Sequence, residues 1–398
     1  MSTAPLREAL EEALPDRPFR IDLWDGTSLP SADGGPTFRL RSPQALGHVL
    51  RSPGQLGVGR AYVSGALDVD DVEGALQLLD TWSPPPIDKR SQLKIAAAAV
   101  RSGALRSVPP VPDAELRPRG RRHSVARDQR SVRHHYDVSN EFFALFLGES
   151  MTYSCAIFSR GATTLEEAQE TKLELVCTKL GLQPGMRVLD VGCGWGSFAV
   201  HAASRHGVHV TGITLSEPQA ARARERAREA GVADKVEIRV QDYRELGAER
   251  FDRVASIGMV EHVGAVNIDA YVAQLVRVLE PGGVVLNHGI ARLRHGDPEA
   301  GPFSERFVFP DAAPLHLSRV TAAFEKTPAV IDHVEGFAPD YAETLRHWAR
   351  RLDDRLDEAR RLAGEERVRV WRLYLRAARR GFESGFTSVY QVRANKLS

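Results

Sequence analysis

Cysteine is scarce: three residues among 398, at 155, 177 and 193, with neither the even count nor the close spacing of a disulfide framework. No second CxxC-type pair offers zinc four ligands, so no metal is expected and a reducing cytoplasm fits the chain. Charge of one sign is missing too. With 53 basic against 52 acidic side chains the net charge is +1, which excludes a whole-chain field drawing the protein to nucleic acid. No stretch of about 18 apolar residues exists, and "MSTAPLREALEEALPDRPF" carries charges every few positions, so neither a membrane span nor a signal-peptide core is expected. Contact with a membrane surface is not excluded. Internal repeats and low-complexity tracts are absent as well, and a chain this long is expected to divide between two cores.

Residues 1 to about 82 mix a helical run from Leu6 to Leu14, strand-like "FRIDLWDG" and "TFRLRS", and a helical run from Pro43 to Leu50. That is a small α+β unit. The proline run Ser83 to Pro86 interrupts it before "IDKRSQLKIAAAAVRSGALRS" resumes a helical period. From Val108 to Asp128 the chain is rich in Pro and Arg and reads as a linker, whose Arg117, Arg119, Arg121 and Arg122 suit either water or anionic lipid headgroups. After about residue 165, "RVLDVG", "HVTGIT", "VEIRVQD", "FDRVASIGM" and "GGVVLNHGI" read as strands separated by helices near 197 to 206, 216 to 230 and 267 to 279. This alternation predicts an α/β fold, a mostly parallel sheet wound on both faces. Two charged helices, about 339 to 362 and 365 to 380, and a last antiparallel strand "FTSVYQVRAN" follow.

"VLDVGCGWGSFAVHAA" is strand, glycine loop, helix. Gly192, Gly194 and Gly196 let the backbone turn and let a ligand approach where a Cβ would clash. The pattern is GxGxG preceded by Asp190, whose charge repels a pyrophosphate but suits a cationic ligand such as S-adenosylmethionine; a nicotinamide or flavin loop, or a turn without ligand, are the alternatives. Thr214 and Gln219 in "GITLSEPQ" can bond ribose hydroxyls, Asp242 in "QDY" can accept from an adenine amino group, and Tyr243 can stack. These sit at the ends of successive strands, where such folds bind ligands.

"SIGMVEHVG" ends the fourth strand on Glu261 and His262, and "LNHGIA" buries His288 in an apolar fifth strand. In a sheet covered on both faces an ionisable group needs a partner or a ligand. A carboxylate and an imidazole converging there can do acid–base work or hold a small ion. Cys155 in "MTYSCAIF" is open between nucleophile, ligand and packing residue.

Taken together, "HHYDVSNEFFALFLGESMTYSCAIF", "VLDVGCGWGSFAVHAA", "GITLSEPQ", "SIGMVEHVG", "LNHGIA" and "APDYAETLRHW" resemble the cyclopropane fatty acid synthase family, which includes the mycolic acid cyclopropane synthases. The likeness runs from about Arg133 to the C-terminus. The first 110 or so residues resemble the small N-terminal domain of the phospholipid-acting members. The resemblance implies a doubly wound, seven-stranded class I methyltransferase domain over 131–398, a linker over 111–130 and a phospholipid- or membrane-interacting domain over 1–110.

The implied chemistry is methyl transfer from S-adenosylmethionine to the double bond of an unsaturated acyl chain in a membrane phospholipid. A carbocation forms and a bound bicarbonate deprotonates it, giving a cyclopropane or a methylene-branched chain. By the same resemblance Cys155, Glu261, His288, Ile290 through its backbone and Tyr341 hold the bicarbonate. Tyr153 and Ser154 sit at the sulfonium end, Asp190, Gly192 and Gly194 by the methionine portion, Thr214 and Gln219 at the ribose, and Asp242 and Tyr243 at the adenine. Phe303, Phe307 and Phe309 are expected to line an acyl channel, and Tyr341, with Tyr136 or Phe143 nearby, to face the cation. The expected setting is the inner face of the membrane, peripherally bound, with a homo-oligomer allowed, no nucleic acid partner, and a reductase partner if the product is a methylene chain. The competing readings are a methyltransferase for a small polar acceptor and a catalytically inactive lipid-binding protein.

Overall fold

The computed structural model describes residues 2–106, 108–116, 127, 139–295, 301–312 and 314–398. The arginine cluster at 117–122 and "HHYD" at 134–137, with Tyr136, lie outside them. The chain forms two compact units: Met1–Arg117 with Gly301–Val308 and Ala363–Ala377, and Pro118–Ala300 with Phe309–Leu362 and Ala378–Ser398.

In the first unit β1 (Arg20–Asp22), β2 (Ser28–Leu29), β3 (Thr37–Leu40) and β4 (Leu67–Val69) form a sheet in the order β2-β1-β3-β4. Helices Ala4–Ala13 and Lys89–Arg101 close one small core around Leu6, Ile21, Leu29 and Ala98. Helices Gln44–Arg51, Gln55–Val63 and Val72–Thr81 close another around Ala61, Tyr62 and Val72. The helix at 55–63 carries no clear helical period in sequence: two of its nine residues are glycine, and Gly59 has the Phe303 ring where a Cβ would stand.

The second unit holds β5 (Arg187–Val191), β6 (His209–Thr214), β7 (Val236–Val240), β8 (Phe251–Ile257), β9 (Leu279–Arg292), β10 (Ala329–Gly336) and β11 (Thr387–Lys396). They form a seven-stranded sheet, β7-β6-β5-β8-β9-β11-β10, in which only β11 runs antiparallel to its neighbours. Five of these strands and the closing antiparallel one fall where the apolar runs put them. The edge strand β10 does not show in sequence, because its "AVIDHVEG" is mostly solvent-facing and polar. Both faces are apolar, one around Val254, Tyr271 and Leu275, the other around Val176, Phe198 and Ala223. Helix Leu165–Leu180 opens on a capping box in which Thr164 and Glu167 satisfy each other's backbone N–H. Helix Leu356–Glu383 is broken at Gly364, whose φ of 78° leaves the helical region where the second charged helix was expected to begin, but the first, expected over 339 to 362, is divided: it ends at Asp353 and helix resumes at Leu356. Strand order reverses between β5 and β8, which puts the ligand crevice beyond their carboxyl ends.

Candidate functional site

The loop after β5 is built on positive φ: 77° at Gly192, 54° at Gly194 and 78° at Gly196. The glycines serve different ends. A Cβ on Gly194 would meet no protein atom within 4 Å, so that face is open to the crevice, whereas one on Gly196 would stand 2.9 Å from the Cβ of Ala223. Gly196 is thus there for the packing of helix Ser197–His206 on helix Glu217–Glu229. The crevice is lined by Gly192, Gly194, Thr214, Gln219, Asp242 and Tyr243, six of the residues expected for the cofactor, and also by Met259 and His262. A larger open groove lined by Asn140, Glu166, Arg222 and Arg351 holds none of the expected residues. The Thr214 hydroxyl donates to the Gln219 amide oxygen at 2.9 Å, which orients both for a ribose. Asp242 is already engaged: its two oxygens accept from Arg244 Nε at 2.8 Å and Nη2 at 2.7 Å. An adenine amino group would share that carboxylate with the guanidinium.

Asp190 is buried at the end of β5, and its Oδ2 has no hydrogen-bond partner among the described residues. Burial pushes its carboxyl up to about 7, with the Lys172 ammonium pulling the other way. Lys172 is a residue that no sequence motif singles out. It is fully buried on helix Leu165–Leu180, its Nζ donates to Ser154 Oγ at 3.1 Å, and desolvation lowers it to about 8. A Lys in an amphipathic helix reads as solvent-facing; tertiary packing turned this one inward. Next to Ser154, Tyr153 packs against Phe143 (5.8 Å between centroids), Trp348 (5.4 Å) and Phe309 (6.3 Å).

Across the crevice, Glu261 sits in a 3₁₀ turn (Val260–His262) after β8, and its Oε1 accepts the Ile290 N–H at 2.6 Å. Ile290, expected to meet the anion through its backbone, uses its N–H to hold the Glu261 carboxyl in place. Glu261 Oε2 has no partner among the described residues, and burial lifts the carboxyl to about 7. Two residues before Ile290, His288 is buried on β9. Lys179 Nζ donates to Gln391 Oε1 at 2.6 Å, so the Gln391 amide nitrogen faces His288 Nδ1 at 3.1 Å and donates to it. That relay fixes the tautomer: Nδ1 accepts, and Nε2 carries the proton. Burial holds the ring neutral, down to about 3, and Nε2 has no acceptor among the described residues. Gln391 was legible only as a strand residue.

Cys155 is fully buried, its Sγ 3.2 Å from the Ala156 carbonyl and 3.8 Å from that of Phe337. Desolvation raises the thiol well above its usual range, so it is neither thiolate nor nucleophile. Phe337 donates its N–H to the Val389 carbonyl, and Val389 pairs with Ile290, which ties the cysteine to the Glu261 side through the sheet. Tyr341, one turn into helix Ala338–Asp353, packs on Phe382 at 4.6 Å and edge-on to Trp348 at 6.2 Å. Of the three phenylalanines expected along an acyl channel, Phe309 stacks on Tyr153 and lies 5.7 Å from His262. Phe303 and Phe307 belong to the first unit, where they stack on each other at 4.9 Å.

The family model for mycolic acid cyclopropane synthetase matches residues 123–392. The chain belongs to that family. It is 38% identical to a probable fatty acid methyltransferase of Mycobacterium tuberculosis, over 96% of this chain and 91% of that one. To the cyclopropane-fatty-acyl-phospholipid synthase of Escherichia coli K12 it is 33% identical, over 89% of this chain and 86% of that one. The crystal structure of mycolic acid cyclopropane synthase CmaA1 with S-adenosylhomocysteine and CTAB aligns at a TM-score of 0.64 and 33% identity, covering 67% of this chain and 98% of that one. As a member of the family, the protein is an S-adenosylmethionine-dependent methyltransferase. The unpartnered Asp190 oxygen and the open Gly194 face fit that cofactor, a cation with a carboxylate tail. Among the described residues no helix is long and apolar enough to cross a membrane.

Proposed function

We propose that the enzyme methylates the double bond of an unsaturated acyl chain in a membrane phospholipid, with a bound bicarbonate taking up the proton that is lost, to give a cyclopropane or a methylene-branched chain. The observation that carries this reading is a pair of buried polar atoms, Glu261 Oε2 in the turn after β8 and the His288 Nε2–H on β9, both without partners among the described residues. A buried donor left unmade costs about 1–3 kcal/mol, so such a pair is kept for a ligand. With its carboxyl near 7, Glu261 carries a proton in much of the population at neutral pH and is then a donor, as the His288 Nε2–H is. Two donors in an apolar wall suit a small oxyanion.

S-adenosylmethionine, when bound, supplies an electrophilic methyl. Gly192 and Gly194 admit the methionine portion, Asp190 meets its ammonium, Thr214 and Gln219 take the ribose, and Asp242 and Tyr243 the adenine. The bicarbonate supplies the base. Glu261 and His288 orient it, Ile290 anchors Glu261, and the Cys155 wall keeps water out. The faces of Tyr341, Tyr153 and Trp348 stabilise positive charge developing on the chain by about 1–2 kcal/mol when desolvated. An acyl chain still in its phospholipid implies work at the inner membrane surface, and a methylene product implies a partner reductase.

The test is purified enzyme with labelled S-adenosylmethionine and dioleoyl phospholipid vesicles, followed by NMR of the released chains. High-field cyclopropane protons identify one product and vinylidene protons the other. Turnover on a free amine, with none on vesicles, overturns the proposal.

A further inference from the structure

A second constellation of chemistry-bearing side chains lies away from the crevice. Cys177, near the end of helix Leu165–Leu180, faces His201 and His206 of helix Ser197–His206, and one ligand atom from each lies within 4.8 Å of the other two. Glu174, one turn before Cys177, joins them: its Oε2 stands 3.2 Å from His201 Nε2 and 3.1 Å from His206 Nε2. Cys177 is wholly buried, and the His201 side chain is 11% exposed. We propose that Cys177, His201, His206 and Glu174 bind one divalent ion of the zinc class in a tetrahedral site.

The donor set is the ground for the ion's identity. One sulfur, two imidazoles and a carboxylate suit zinc or cobalt(II) and disfavour magnesium and calcium, which take oxygen. Ligand atoms about 2.0–2.3 Å from a tetrahedral zinc are roughly 3.3–3.7 Å from one another. The Glu174–imidazole distances, 3.2 and 3.1 Å, are at the short end of that spacing, whereas the 4.8 Å bound covers the sulfur and the imidazoles but not Glu174, so closure needs the sulfur to approach by about 1 Å or more. Binding replaces the Cys177 thiol proton, which leaves to solvent, and converts the two imidazole–carboxylate hydrogen bonds into four metal–ligand bonds. The surroundings favour a rigid site: Val176, Phe198, Ala202 and Val208 pack beside it.

Its place in the fold indicates a structural role. Helix Ser197–His206 starts at the glycine loop, and at about 1.5 Å per residue His206 lies roughly 13 Å along the axis from it, toward the opposite edge of the sheet. The ion would clamp the two helices that hold Lys172 and the glycine loop, without touching substrate.

The experiment uses the full chain without a histidine tag, stripped with chelator and titrated with cobalt(II). The expected result is one equivalent bound, with a thiolate-to-cobalt charge-transfer band and the intense visible bands of tetrahedral cobalt, all displaced by zinc. Cys177→Ser should lose the charge-transfer band. Because that core variant can fail to fold, His206→Ala, at a half-buried helix end, is the second probe and should weaken cobalt binding at least tenfold with the fold intact by circular dichroism. Weak binding of several equivalents without a thiolate band, or binding unchanged in His206→Ala, overturns the proposal and leaves a hydrogen-bonded corner.

Discussion

Replacing Lys172 with methionine should make the protein more stable and worse at its work. The ammonium is fully buried, and Ser154 Oγ, at 3.1 Å, is the one hydrogen-bond partner it has among the described residues. Desolvation lowers its pKa from 10.5 to about 8. At 1.36 kcal/mol per unit that difference is a penalty of about 3 kcal/mol, in full below pH 8, where the buried group is charged, and relieved as pH rises toward 10.5. Methionine fills similar space without the charge. The lost hydrogen bond returns about 1 kcal/mol of the gain. Asp190, already titrating near 7, takes up a proton at little further cost once the ammonium is gone. The net is about 2 kcal/mol of stabilisation at pH 7, or roughly 4–8 °C in Tm for a unit of this size. A neutral Asp190, however, no longer attracts a cofactor ammonium, so calorimetry should show S-adenosylmethionine binding at least tenfold weaker. The difference in Tm between wild type and Lys172→Met should also shrink between pH 8 and 10.5. A variant that melts lower, or that melts higher and still binds the cofactor normally, refutes the assignment of Lys172 as a costly counter-charge for the site.

Glu261→Gln and His288→Ala should cut turnover on phospholipid vesicles by about 100-fold or more, with cofactor affinity by calorimetry within about threefold of wild type; equal loss of both would remove them from the anion site. Gln391→Leu frees the His288 tautomer and removes one acceptor of the Lys179 ammonium, which keeps Glu335, so it should lower stability by about 1 kcal/mol in denaturant melts and also lower turnover; full activity would show that the relay is idle. The Glu261 carboxyl, raised from 4.5 to about 7, binds its proton more tightly in the folded state, so its burial costs nothing below pH 4.5 and about 3 kcal/mol above pH 7. Stability should therefore fall as pH climbs through that window, and Glu261→Gln should flatten the fall. Finally, Gly196→Ala should destabilise the fold by about 2 kcal/mol or more, through its positive φ and the 2.9 Å approach to Ala223. Gly194→Ala meets no protein atom and should instead mainly weaken cofactor binding, as melts and calorimetry on the pair would report.

The amino-acid sequence by itself determined the parallel strands β5, β6, β7, β8 and β9, the glycine loop and the family, because each is a local pattern: an apolar run of strand length, a helical period, a fixed string of residues. It also brought Gly192, Gly194, Thr214, Gln219, Asp242 and Tyr243 to one crevice in advance, since in a doubly wound sheet the carboxyl ends of successive strands must meet. Only the tertiary structure decided the state of the groups gathered there. Lys172 became a buried cation because its helix turned that face to Ser154 and Asp190. His288 received its tautomer from Gln391, 103 residues away in sequence. Asp242 was taken up by Arg244, Ile290 by Glu261, and Phe303 and Phe309 went to different units. His201 and His206 stand at an H-x4-H spacing on one helix, but Cys177, 24 residues before His201, met them only through the packing of two helices. A pattern along the chain sets which face of an element is apolar, but the pKa, tautomer and partner of a polar group depend on what packs against it from elsewhere.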